Sequence, residues 1–95
     1  MEEYGKIEGF DNWIVDIIDT NINPTTTVRF SYELNGQTTD VNPFIEWVIL
    51  YDEQHSNQCI LFGYNFPASD ITIPLKIWFT TDGVEALVYD GTLDI

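Results

Sequence analysis

Two residues spaced four apart, His55 and Cys59, are the nearest the chain comes to a nucleophile and its base, or to the start of a metal site. Neither chemistry is supported by its surroundings. Cys59 opens an apolar stretch running to Tyr64, where a thiol serves as a small buried hydrophobe. His55 sits in the polar run 52–58, where solvation accounts for it. A metal needs three or four ligands at recognisable spacing, and only Glu53 lies close by. A hydrolase built on His55 and Cys59 is therefore retained only as a formal alternative. Paired carboxylates for acid–base work need one member held neutral in an apolar pocket, which sixteen scattered acids do not define. No alternating Asp/Asn loop of the calcium-binding kind is present, and no glycine-rich phosphate loop. The expectation is a non-enzyme without cofactor or metal.

The charge carries more information. Three Lys+Arg against sixteen Asp+Glu leave a formal net charge of −13 on 95 residues, with a pI near 4.1. Direct binding of nucleic acid or anionic lipid runs on Lys and Arg, so neither is expected. Acids are spread along the chain without a solvated block, so they decorate a folded surface. With 44% hydrophobic and 15% aromatic residues, the chain has material for a core. Residues 1–95 are expected to form a single domain. The start, Met1-Glu2-Glu3-Tyr4-Gly5-Lys6, does not read as a secretory leader. A lone cysteine fits a reducing compartment, so the cytoplasm is expected.

The elements that must position these groups follow from periodicity. Phe10, Trp13, Ile14, Ile17 and Ile18 recur at helical spacing, so residues 8–19 are expected to form an amphipathic helix with Asp11 as N-cap. That helix carries Glu8, Asp16 and Asp19 on its wet arc. Its weakness is the β-branching of Ile14, Val15, Ile17 and Ile18. A strand there places Trp13, Val15 and Ile17 on one face and leaves Ile14 and Ile18 beside Asp16.

Beyond Asn23-Pro24 the pattern is β. Val28, Phe30, Tyr32 and Leu34 alternate with Arg29, Ser31 and Glu33, and Asn35-Gly36 is a strong hairpin signal. Residues 44–51 suit a central strand buried on two faces, with the return strand at 59–64. Ile71, Ile73, Leu75, Ile77 and Phe79 share a face opposite Thr72, Pro74, Lys76 and Trp78. Pro74 marks an edge or a bulge. Thr81-Asp82-Gly83 turns into a strand from Val84 to Tyr89, and a short last strand follows near Thr92 to Ile95. The expected fold is α+β: a single twisted antiparallel sheet of five or six strands with one N-terminal helix. The alternative is an all-β sandwich or small barrel.

Trp13 and Trp47 lie on apolar faces and are expected in the core. Trp78 lies opposite the apolar stripe, so it is either covered by a second layer or serves as an interface anchor. Thirteen uncompensated negative charges destabilise the compact state and focus a field outward. A basic protein surface, such as a cleft built for nucleic acid, recovers that cost. The candidate partner-binding residues are Glu8, Asp11, Asp16, Asp19, Asp52, Glu53 and Trp78. In size, charge and β-rich layout the chain resembles phage-encoded nucleic-acid mimics: inhibitors of uracil-DNA glycosylase, anti-restriction proteins and some anti-CRISPR proteins. It also resembles the acidic immunity proteins of nuclease toxins. That resemblance implies a non-enzymatic inhibitor whose partner is a nuclease, glycosylase or CRISPR-type defence effector, acting in the host cytoplasm if a phage encodes it. The alternative is a β-rich structural or carbohydrate-binding module using Trp78 and the tyrosines.

Overall fold

The computed structural model describes residues 7–18, 23–41, 47–51 and 58–95. Every regular element in it is a strand: β1 (Asn12–Asp16), β2 (Thr27–Leu34), β3 (Gln37–Val41), β4 (Trp47–Tyr51), β5 (Gln58–Gly63), β6 (Thr72–Thr81) and β7 (Val84–Asp94). They form two antiparallel sheets, ordered β1-β5-β4 and β3-β2-β6-β7. The chain divides into two compact units, Met1–Asp19 with Phe44–Pro67 and Thr20–Pro43 with Ala68–Ile95, each holding one sheet.

The helix expected over 8–19 is not formed, and the all-β alternative describes the chain. Residues 12–16 are extended and pair with β5, Trp13 opposite Phe62 and Val15 opposite Ile60. The alternation of two prevails over the helical spacing: Val15 and Ile17 are buried, whereas Ile14 is 40% and Ile18 67% exposed. β-Branched side chains lose rotamer freedom in a helix and fit a pleated surface, and β5 offers a ladder to complete. Asp11 is accordingly no N-cap; its carbonyl accepts the Tyr64 N–H at 3.0 Å.

The expected single sheet is corrected as well. In the first unit β5 is the central strand, with Cys59, Ile60, Leu61 and Phe62 all buried on alternating faces. β4, expected to be central, stands at the end of the order. Gly63 closes β5 where the chain passes tightly: a Cβ there would lie 2.8 Å from the Phe10 Cβ.

The second unit follows its sequence pattern closely. Val28, Phe30, Tyr32, Ile73, Leu75, Ile77 and Phe79 are buried on one face. The turns Asn35-Gly36 and Asp82-Gly83 have positive φ at both central residues (53° and 78°, 52° and 79°), as the two-residue hairpin turn matching strand twist requires. The final residues form one strand rather than two. A bulge shifts the register between Ile77 and Trp78, and β7 then runs on past Gly91, which lies opposite Leu75. Tyr89 folds along β7 so that its hydroxyl donates to the Thr92 carbonyl at 2.7 Å.

Pro74 is tolerated for a reason the two hairpins supply. A two-residue turn is closed by a hydrogen-bonded pair, here Leu34 with Gln37 and Thr81 with Val84. Alternation from those pairs directs the backbone groups of the odd residues of β2 and the even residues of β6 toward each other. Pro74, lacking an N–H, therefore faces β2 and not β7. The β2–β6 pairing ends at Tyr32 opposite Leu75, one step before Glu33 would meet Pro74. β6 is a central strand, and Pro74 stands at a local edge within it.

Candidate functional site

All the carboxylates among the described residues are exposed: Glu8, Asp11, Asp16, Glu33, Asp40, Asp70, Asp82, Glu85, Asp90 and Asp94. In the second unit, cross-strand register gathers Glu33, Asp40, Glu85, Asp90 and Asp94 on the face opposite the buried stripe. The same face carries Arg29 and Lys76, two of the three basic residues in the chain.

Arg29 is the organised centre of that face. Residues 29 and 78 are register partners on β2 and β6, so their side chains rise from adjacent strands on the same side. The guanidinium lies 3.9 Å from the Trp78 ring centroid. It donates two parallel bonds to Glu85, from Nε at 3.3 Å and Nη2 at 3.1 Å. Asp40 on β3 stands 3.8 Å from Nη1. One cation thus answers two carboxylates and an indole, and the four groups come from all four strands. Trp78 is half-buried, and its covering layer is this neighbouring side chain rather than a helix. Among the described residues of the second unit these are the only ion pairs.

Lys76 lies one register step along, opposite Ser31 on β2 and Asp90 on β7. Where β2 and β6 part at Pro74, a cleft of about 190 Å³ opens, lined by Ser31, Tyr32, Glu33, Thr38, Pro74, Leu75 and Lys76. Acids also mark β7, which ends the sheet order. Glu85, Asp90 and Asp94 along it discourage unwanted pairing at an edge, and Asp94 accepts a hydrogen bond from the Thr72 hydroxyl.

In the first unit, Trp13 is half-buried rather than a core residue. Its indole N–H donates to the Tyr64 carbonyl at 2.9 Å. Phe66 packs edge-on against both Trp13 and Tyr64, at centroid distances of 5.5 and 4.7 Å. Beside this aromatic cluster Asn65 fixes the chain entering β1: its Oδ1 accepts the Asp11 N–H at 2.7 Å, and its Nδ2 donates to the Gly9 carbonyl at 3.1 Å.

Glu8 and Asp11, two of the candidates from sequence, are exposed on the segment leading into β1, and Asp16 is exposed at the end of that strand, opposite Cys59. They do not form a helical ridge, because there is no helix to carry one. Trp78 belongs to the other unit and is engaged by Arg29. Asp19, Asp52, Glu53 and His55 lie outside the described residues, as does the Trp47 side chain. Cys59 is fully buried, in keeping with the role of a small hydrophobe. No group of three or more His, Cys, Asp or Glu able to hold a metal occurs among the described residues. Nor is any helix there long and apolar enough to cross a membrane.

Sequence alone does not single out Arg29, the Ser31–Glu33 side of the cleft, or Phe66. A signal for Arg29 exists: it occupies the wet parity of β2, as Trp78 occupies that of β6. Only the register brings the two together. No protein-family model, curated protein or solved structure matches the chain.

Proposed function

We propose that this chain is a non-enzymatic acidic inhibitor that binds a basic nucleic-acid-handling protein and occupies its nucleic-acid site. The observation that carries the proposal is the outward, largely uncompensated placement of charge. Every described carboxylate is exposed, and in the second unit the ion pairs among the described residues engage only Asp40 and Glu85. A net −13 on 95 residues keeps the free protein soluble and also projects a strong negative field. Such a field accelerates docking onto a basic cleft, and docking relieves the self-repulsion of the free protein. The partner class is a nuclease, a glycosylase or a defence effector. The site of action is the cytoplasm, of an infected cell if the chain is phage-encoded.

The test immobilises the chain, captures basic proteins from lysate at low salt and elutes them with a salt gradient. Each discrete captured protein is then challenged with a labelled duplex oligonucleotide. The expected result is mutually exclusive binding. Simultaneous binding of oligonucleotide and inhibitor to the captured protein would contradict the reading.

A second reading, a β-rich carbohydrate-binding module, is favoured by the Trp13–Phe66–Tyr64 cluster, whose three rings are half-buried in one unit. The reading requires a sugar ring to stack on one open ring face of this edge-to-face cluster. Titration with a glycan panel, followed by tryptophan fluorescence, decides it: saturable quenching lost in Phe66→Ala supports it, and a flat response across the panel removes it.

A further inference from the structure

We infer that the cleft between Glu33 and Pro74 is a receptor for a guanidinium group, and that it seats an arginine side chain of the basic partner. This contact presupposes the inhibitor reading and is the one through which that partner would be held.

Ser31 lines the cleft and brings a hydroxyl to it. Ser31 is 8% exposed, making it one of two buried polar residues among those described. Thr26, the other, has a hydroxyl partner in Thr81 at 2.7 Å, whereas the Ser31 hydroxyl has no partner among the described residues. Because the cleft opens beside it, that hydroxyl is placed to pair with a donor entering the cleft.

The second acceptor is a backbone carbonyl. Strand alternation aims the backbone of Glu33 at Pro74, and Pro74 has no N–H to give, so the Glu33 carbonyl receives nothing from β6 at this step. The third is the Glu33 carboxylate, exposed and outside every ion pair of the described residues. Thr38, opposite Glu33 in register, adds a hydroxyl at the rim. Lys76, the one cation at the cleft, faces Asp90 across β6–β7, so its charge has a carboxylate to turn to when the cleft fills.

Acceptors at several angles beside an apolar wall suit a planar five-donor fork better than a compact ammonium. Pro74 supplies the wall. The same sheet face already holds one guanidinium in this manner: Arg29 lies on Trp78 and grips Glu85 with two bonds. The cleft repeats part of that arrangement, a carboxylate beside an apolar surface, with the cation left for a partner to supply.

The probe is N-acetyl-arginine amide, titrated into the ¹⁵N-labelled full chain at low salt, with N-acetyl-lysine amide and N-acetyl-glutamine amide as controls. The expected result is saturable shifting of the Ser31, Glu33, Thr38 and Lys76 amides, strongest for arginine and absent for glutamine. Glu33→Gln should weaken the binding by about fivefold. Ser31→Ala should weaken it while leaving thermal stability nearly unchanged, since the hydroxyl has no partner among the described residues to lose; this separates lost binding from lost folding. Equal shifts at Asp70, Asp90 and Asp94, or equal responses to arginine and lysine, would mean diffuse charge attraction and would overturn the cleft. Should the cleft fail while oligonucleotide competition holds, the inhibitor reading survives with another contact. A cleft that binds arginine while captured proteins keep their oligonucleotide preserves the receptor and removes the inhibitor reading.

Discussion

Replacing Arg29 by Gln removes the one charge that ties the four strands of the second unit together on their outer face. The loss can be assembled from the geometry. The two-pronged pair with Glu85, at 3.1 and 3.3 Å with the Arg29 side chain 33% exposed, is a partly screened ion pair, good for about 0.5–1 kcal/mol. Stacking at 3.9 Å on Trp78 adds about 0.5–1 kcal/mol. Asp40 at 3.8 Å contributes at most a small further amount, being more exposed than Glu85. The expected destabilisation at low salt is about 1–2 kcal/mol, read from urea unfolding by circular dichroism. In about 1 M NaCl the screening length falls to roughly 3 Å, so about half of the deficit should vanish, leaving the stacking share. Arg29→Lys should restore part of the salt-sensitive share but neither the fork nor the stack. A deficit below about 0.3 kcal/mol at low salt, or one equally large at both salts, would refute this reasoning.

The exposed Ile14 and buried Val15 test the strand in place of the helix: Ile14→Thr should cost under about 0.5 kcal/mol and Val15→Ala about 2 kcal/mol by thermal unfolding. A helix would reverse that order. Gly63→Ala sets a Cβ 2.8 Å from the Phe10 Cβ and should destabilise by about 1–3 kcal/mol; an unchanged melting temperature would contradict the close approach. Gly83→Ala forces a side chain to φ +79° and should cost about 1–2 kcal/mol, which chemical denaturation measures directly. Cys59 is inaccessible in the fold, so its reaction with a thiol reagent should follow the rate or population of opening. Immediate full labelling in native buffer would be inconsistent with that burial.

What was legible in the sequence was local. The Asn35-Gly36 and Asp82-Gly83 turns follow from residues that accept positive φ. The apolar faces of β2 and β6 follow from strict alternation. The failures have one cause, which is that partners distant in sequence decide between local options. Residues 12–16 satisfy two periods at once. Pairing with β5, about 45 residues away where Val15 meets Ile60, selects the strand at the expense of exposing Ile14 and Ile18. The split into two sheets is likewise a matter of long-range pairing. Pro74 signals an interruption, but only the register shows that it faces β2, opens the cleft and leaves β7 untouched. Arg29 escapes notice for the same reason, because a lone arginine in an acidic chain gains meaning only when Trp78 and Glu85 arrive from other strands.

The central claim is that exposed carboxylates drive association with a basic nucleic-acid site. The most direct measurement is the association rate for a captured partner across a range of ionic strength, with and without saturating duplex DNA. A variant carrying Glu8→Gln, Asp11→Asn, Glu33→Gln and Asp90→Asn serves as comparison, all four positions being exposed. The expected result is a rate that falls steeply with salt, a slower rate with a shallower slope in the variant, and no association once DNA is bound. A rate indifferent to salt, or undiminished by DNA, would contradict the claim.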